Sequence, residues 1–371
     1  MDLYKKYDLK EVINASGKMT ILGVSKVSEE VLAAQKFGGQ HFFEMSELTL
    51  KTGKAIAQLI GAEDAIVVSS ASAGIAQSVA AFIGAGDNYH AYHPFTNRIK
   101  KREIILPKGH NVDYGTPVEV MVELGGGEVV EAGYANMCTP EHLSMMVTEN
   151  TAAILYIKSH HTVQKSMLTV SEAAKVAAEH QLPLIVDAAA EEDLVKYLDE
   201  GADLVIYSGA KALEGPSSGL VIGNRQFIDW VRLQGKGIGR AMKVGKENIL
   251  GLTAAIEQYV AEGSESGEAM KTRLAPFLTD LNQVPHIVAS CEQDAAGREI
   301  YRAKITIADS APLTAKEVVV GLKQGNQAIY TRYYRANNSI IEFDIRDVNK
   351  AEMEKIVSAL QTLLGYRHRH K

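Results

Sequence analysis

Residues 204–223 read LVIYSGAKALEGPSSGLVIG. Leu204–Tyr207 and Leu220–Gly223 are short β-branched runs, each predicted as a buried strand. Between them, a loop of small residues carries Lys211 and then a Gly-Pro-Ser-Ser-Gly turn at 215–219. A lysine directly after a buried strand, among residues too small to shield it, points into a cleft as readily as to solvent. About 20 residues upstream, Pro183–Asp187 (PLIVD) ends a second apolar run on a carboxylate, Asp187.

Working outward, the same rhythm of strand and helix repeats. Ala65–Ser69, Arg102–Leu106 and Thr151–Ile157 read as strands. Gly74–Phe82, Val118–Leu124, Ser171–His180 (with Ser171 as N-cap) and Glu191–Glu200 read as helices. Alternating β and α segments predict an α/β fold with a mostly parallel central sheet. After Gly251 the character changes. A helix at Leu252–Glu262 and a helical stretch to Leu281 are followed by strands at Ile300–Ala308, Ala328–Arg332 and Ser339–Phe343, and a closing helix at Ala351–Leu364. The predicted organisation is an N-terminal arm (1–20), a large domain (21–254) and a smaller α+β C-terminal domain (255–371).

Two further segments complete a possible site. IVVSSASAGIAQSVAAF, residues 66–82, is a strand, a small polar turn and a helix. Backbone N–H groups at that turn, around Ala71, with the Ser70 and Ser72 hydroxyls, suit a phosphate at the positive helix end. Ser208, three residues before Lys211, adds a hydroxyl. Lys108-Gly109-His110-Asn111 follows another strand, and His110 is placed to lie flat against a cofactor ring and move protons. Taken singly, each residue has an ordinary explanation: loop lysines face solvent, strand-end aspartates cap helices, and lone histidines are structural. Their order, all at C-terminal strand ends of one sheet where open α/β folds bind ligands, points instead to pyridoxal 5'-phosphate. Lys211 then forms the Schiff base and Asp187 keeps the pyridine nitrogen protonated.

Composition narrows the alternatives. The chain has 371 residues, 39 Lys+Arg against 45 Asp+Glu, and a net charge of −6, which disfavours broad electrostatic binding of nucleic acid. With 46% hydrophobic and 23% charged residues it has the make-up of a globular protein rather than a disordered one. Two cysteines, Cys138 and Cys291, are too few for a disulfide scaffold or a cysteine-built zinc site. No secretory signal or membrane-length apolar run is visible, so a cytoplasmic protein is expected. Gly125-Gly126-Gly127 lacks dinucleotide-loop spacing, and no Walker A or GxSxG sequence is present. His160-His161, His368 and His370 lack metal-site context, so no metal is expected, and the Arg-His-Arg-His-Lys terminus reads as a solvated tail.

The stretches VINASGKMTILG, SSASAG, LPKGHNVDYG, LIVDAAAEED and YSGAKALEGPSSGLVIG resemble fold-type I pyridoxal phosphate enzymes. More narrowly they resemble the group related to selenocysteine synthase, the L-seryl-tRNA selenium transferases. GIGRAMKVGKENILGL and YTRYYRANNSIIEFDIR are similar to the subgroup of D-glucosaminate-6-phosphate ammonia-lyases. The resemblance implies the aspartate aminotransferase-like fold. It implies Lys211, Asp187 and His110 as catalytic residues, and Ala71, Ser72 and Ser208 beside them as cofactor contacts. For the substrate it implies Arg332 at the carboxylate, Arg240 and Lys243 at a distal phosphate, with Lys18 of the VINASGK segment alongside.

The expected reaction is α,β-elimination from D-glucosaminate 6-phosphate, giving 2-keto-3-deoxygluconate 6-phosphate and ammonia, in a homodimer or higher homo-oligomer. Alternatives are selenium transfer, β-elimination from a simpler amino acid, aminotransfer, or a non-catalytic binding subunit of the same fold. The short lead before VINASGK, the net charge of −6 and a cradle without the asparagines of the selenium transferases disfavour tRNA as substrate.

Overall fold

The computed structural model describes residues 2–159, 161–294 and 298–365. Among them, the strands in chain order are β1 (Val12–Ala15), β2 (Asp64–Val68), β3 (Glu103–Pro107), β4 (Glu128–Ala132), β5 (Thr151–Ile157) and β6 (Leu184–Asp187). They continue with β7 (Leu204–Ser208), β8 (Gly219–Gly223), β9 (Ile287–Gln293), β10 (Tyr301–Ile307), β11 (Ala328–Thr331) and β12 (Ile340–Asp344). The chain divides into two units, residues 27–263 and residues 1–26 with 264–371.

The larger unit is built on a seven-stranded sheet in the order β2-β8-β7-β6-β5-β3-β4. Neighbours from β4 through β7 run parallel, and β8 alone runs against both β7 and β2. Both faces are covered, which is why these strands read as unbroken apolar runs rather than alternating ones. Ile154, Tyr156, Leu184, Val186, Val205, Tyr207, Leu220 and Ile222 pack to one side, against Ile56, Val176, Ile249 and Leu252. Their neighbours in the strands, Leu155, Ile185, Leu204, Ile206 and Val221, pack to the other side with Ile75, Val79 and Val122. The expected α/β class and mostly parallel sheet are what the structure has.

Three local readings are corrected. The helix expected from Ser171 starts at Val170. Its N-cap is Thr169, whose hydroxyl accepts from Glu172 N–H while Glu172 returns a bond to the cap. The helix expected over 191–200 is reduced to Lys196–Asp199. Asp193 Oδ1 caps Lys196 N–H at 2.9 Å. The residues before it are tied down by tyrosine hydroxyls: Tyr197 to Glu191 Oε2 (2.8 Å), Tyr207 to Asp193 O (2.7 Å) and Tyr259 to Glu192 O (2.6 Å). Third, β4 and β9 were not anticipated; their half-exposed patterns hide them from an apolar-run reading.

The smaller unit carries the antiparallel sheet β12-β10-β9 and the parallel pair β1-β11. Its core includes Leu274, Phe277, Val318, Ile305, Phe343 and Ile356. The first residues are therefore not a separate arm, because β1 pairs with β11 from Val12–Ala328 to Ala15–Thr331. The division falls at 263/264 rather than 254/255, since one helix runs without a break from Lys246 to Glu262 and ends on Gly263 at φ +71°. Buried Arg302 bridges Asp294 (2.7 Å) and Asp344 (3.1 Å), and Arg346 adds a second contact to Asp344 (2.8 Å). Among the described residues, no helix is long and apolar enough to cross a membrane.

Candidate active site

Sheet topology assembles the site of the larger unit. Strands β5, β6 and β7 are parallel, so Ile157, Asp187 and Ser208 end on one edge. Because β8 runs the other way, its first residue, Gly219, pairs with Ser208 on one side and with Val68, the last residue of β2, on the other. The chain leaves β2 at that edge and turns at once into the Ala71–Gly84 helix. A Cβ on Gly219 would stand 2.5 Å from Ser70 O and 2.7 Å from Ala71 N. Only glycine lets the helix start this close to the sheet.

At that start Ser70 is the N-cap, its Oγ accepting from Ala73 N–H at 3.0 Å. The Ala71 and Ser72 N–H groups belong to the first turn, which has no intrahelical acceptors. The Ser72 hydroxyl meets the Tyr114 hydroxyl at 3.1 Å. Burial raises the Tyr114 phenol above its ordinary value; the bond to Ser72 opposes the rise and the Asp187 charge adds to it.

Asp187 is buried at the end of β6, with Oδ1 accepting from Ala189 N–H at 3.1 Å. Ala189 O in turn accepts from Ser208 N–H at 3.1 Å, so the carboxylate and Ser208 are held through one residue. Burial pushes the Asp187 carboxyl up to about 6, against the opposing charge of Lys211 and the Ala189 bond. Lys211 sits in a turn closed on itself. Its N–H donates to Ser208 O (3.4 Å), Glu214 N–H donates to Lys211 O (3.2 Å), and Gly215 N–H donates to Gly209 O (2.8 Å). This turn holds the Lys211 backbone beside β7, and the residue is half-buried.

These residues fit pyridoxal phosphate. The buried, half-satisfied carboxylate of Asp187 suits a pyridine N–H. The glycine-permitted helix start, with two first-turn N–H groups and the Ser72 hydroxyl, suits a phosphate dianion. The expectation for His110 is not met. Its ring is fully buried and packs edge-on against Tyr156 at 4.6 Å and 83°. Ile157 N–H donates to Nδ1 at 3.4 Å, and Nε2 is buried without a hydrogen-bond partner among the described residues. Burial lowers this imidazole to about 4; the Val163 backbone opposes that and the Lys158 charge reinforces it, so the ring is neutral near pH 7. Sequence reasoning missed Tyr114. The signal lay four residues past His110, in the Asp113-Tyr114-Gly115 turn at the end of LPKGHNVDYG, where Gly115 has φ +112°.

The expected substrate residues divide between the units. Arg240 ends the turn Ile238–Arg240 in the larger unit and is exposed, as is Lys243. Arg332 and Lys18 belong to the smaller unit. Arg332 follows β11, with Nε 3.6 Å from Glu342 and its guanidinium over Tyr334, and Lys18 lies 4.0 Å from Asp347. Gly125-Gly126-Gly127 joins a helix to β4, and the Gly126 carbonyl accepts from Arg102 at 2.8 Å. No group of three or more His, Cys, Asp or Glu side chains among the described residues is placed to hold a metal. His160 and the terminal residues 367–371 lie outside the described residues.

The profile of the L-seryl-tRNA selenium transferase (SelA) family matches residues 12–286. The chain belongs to the SelA family. Within reach of this SelA-family chain is the D-glucosaminate-6-phosphate ammonia lyase of Salmonella typhimurium, 43% identical over 98% of each chain. A solved structure of D-glucosaminate-6-phosphate ammonia-lyase superposes with a TM-score of 0.93 at 42% identity, covering 98% of both chains. A 5'-C-glycyluridine monooxygenase-decarboxylase from a Streptomyces species is 34% identical over 97% of this chain and 92% of its own. A structure of SPT with PLP matches at a TM-score of 0.59 and 14% identity, over 96% of this chain and 88% of that one, a likeness of fold alone. The fold of the SelA-family chain is that of the fold-type I enzymes.

Proposed function

We propose that this chain is a pyridoxal phosphate-dependent ammonia-lyase that converts D-glucosaminate 6-phosphate to 2-keto-3-deoxygluconate 6-phosphate and ammonia. The observation that carries the reading is the end-to-end likeness to the Salmonella typhimurium lyase, at 43% identity. The arrangement of Lys211 and Asp187 supports it. When bound, the pyridoxal group draws electrons from the substrate's α-carbon and makes proton loss there feasible.

The chain's own residues do the rest. Lys211 holds the group, and its Nζ takes the α-proton. Asp187 keeps a proton on the pyridine nitrogen, and its carboxyl at about 6 is mostly ionised near pH 7 and so able to do this. Ala71 and Ser72 N–H with the Ser72 and Ser208 hydroxyls hold the cofactor phosphate. The exposed cations Arg240 and Lys243 of the larger unit favour the distal phosphate through charge-assisted bonds. Water leaves with the β-hydroxyl and is regained on release, so keto acid and ammonia are the net products.

The test is release of ammonia and 2-keto acid from D-glucosaminate 6-phosphate by the wild type and Lys211→Ala. Release by the wild type alone is expected; none from either overturns the reading. The 34% likeness to the monooxygenase-decarboxylase supports a second reading on the same scaffold. Oxygen uptake and carbon dioxide release in the same panel separate the two. We also propose a cytoplasmic homo-oligomer. Fully exposed Phe42, with exposed Phe37, Tyr92 and Phe95 on the larger unit, supports self-association, and light scattering on the eluting protein checks it.

A further inference from the structure

Ser70 and Ser72 flank the same helix start and have different duties. Ser70 Oγ accepts from Ala73 N–H as the helix cap and keeps its own proton, while Ser72 is the hydroxyl of the first turn that meets a second hydroxyl. Across from it, 42 residues along the chain, the Tyr114 hydroxyl lies at 3.1 Å. Each hydroxyl has one proton, so the pair orders itself once an anion is present. Ser72 turns its proton toward the anion, and its oxygen then accepts from Tyr114. A phenol that stays protonated suits this role, and burial with the nearby Asp187 charge keeps Tyr114 in that state.

On the basis of the cofactor reading above, we propose that Tyr114 is a positioning residue for the cofactor phosphate. It acts through Ser72 as a two-hydroxyl chain, Tyr114 O–H to Ser72 Oγ and Ser72 O–H to phosphate. Hydrogen bonds in series polarise one another, so the outer member matters only while the inner one is present. The two residues therefore act as a unit, and their losses do not multiply.

The test uses the full-length chain and pyridoxal 5'-phosphate as probe. Its Kd is measured by absorbance titration for wild type, Tyr114→Phe, Ser72→Ala and the double variant. The phosphorus NMR shift of the bound phosphate is recorded for each. Tyr114→Phe is expected to raise Kd about 3- to 10-fold, the range of one hydrogen bond, and to move the phosphorus resonance. Ser72→Ala raises Kd at least as much, and adding Tyr114→Phe to it costs nothing further. Melting of the cofactor-free Tyr114→Phe protein falls by no more than the few degrees that one hydrogen bond carries, which separates this effect from misfolding. Equal Kd for wild type and Tyr114→Phe, or losses that multiply in the double variant, overturns the inference alone. A wild type that takes up no cofactor overturns the proposed function as well.

Discussion

Asp187→Asn is expected to make the cofactor-free protein more stable near neutral pH while removing its activity. The buried carboxyl is raised from its ordinary 3.8 to about 6 by desolvation, beyond what Lys211 and Ala189 N–H return. At 1.36 kcal/mol per pH unit, that is on the order of 3 kcal/mol. A raised carboxylate means that the folded state binds more protons than the unfolded state between those values. Stability therefore falls as pH rises from about 4 through 6, and the whole cost stands above that window. Asparagine has the same shape, carries no charge and does not titrate. Urea denaturation of both cofactor-free proteins at pH 8 should place Asp187→Asn roughly 2–3 kcal/mol above wild type, with the gap closing toward pH 4. The variant should also bind pyridoxal phosphate more weakly and release no ammonia. A gap independent of pH, or a variant less stable than wild type at pH 8, would refute the account of Asp187 as a desolvated carboxylate waiting for a cationic partner.

Other outcomes follow from the same structure. Gly219→Ala drives a Cβ to within 2.5 Å of Ser70 O, a backbone atom that cannot swing away. It should cost ~1–3 kcal/mol, or roughly 2–10 °C in melting temperature, and weaken cofactor binding. Arg302→Ala removes the buried cation between Asp294 and Asp344, which keep Arg298 and Arg346 as partners, and should cost ~1.5–3 kcal/mol by denaturant titration. Asp344 is buried yet held down to about 2 by Arg346 and Arg302, so its contribution is complete above about 4 and lost as pH falls through 2, readable as acid unfolding. A thiol reagent at pH 8 should titrate exposed Cys291 quickly. Cys138, buried and raised to about 11, should react only on unfolding.

Much of the larger unit was legible in the chain because its information is local. A strand covered on both faces must be apolar throughout, so β5, β6, β7 and β8 stand out as unbroken runs. The residues at their ends, Asp187, Ser208 and Lys211, follow from where those runs stop, whereas Ser70, read as a phosphate contact, is the helix cap. Strands with one wet face, β4 and β9, carry no such mark and were missed.

The helix start at Thr169 was misread for a different reason. Thr169 and Ser171 both suit a cap, and only the reciprocal bond with Glu172 chooses between them. The segment 191–195 has helical composition, but tyrosines from three separate places hold it open. No window along the chain contains that competition.

By itself the sequence determined the class of fold and set Asp187, Ser208 and Lys211 at or just past the ends of apolar strands, since each depends on a residue and its near neighbours. Tertiary structure alone decided that β1 closes on β11, more than 300 residues away. It alone buried His110 beneath Tyr156 and set Tyr114 against Ser72. The physical reason is the same in all three. Burial and hydrogen-bond partnership belong to pairs of distant residues, and a single stretch of chain states only one member of each pair.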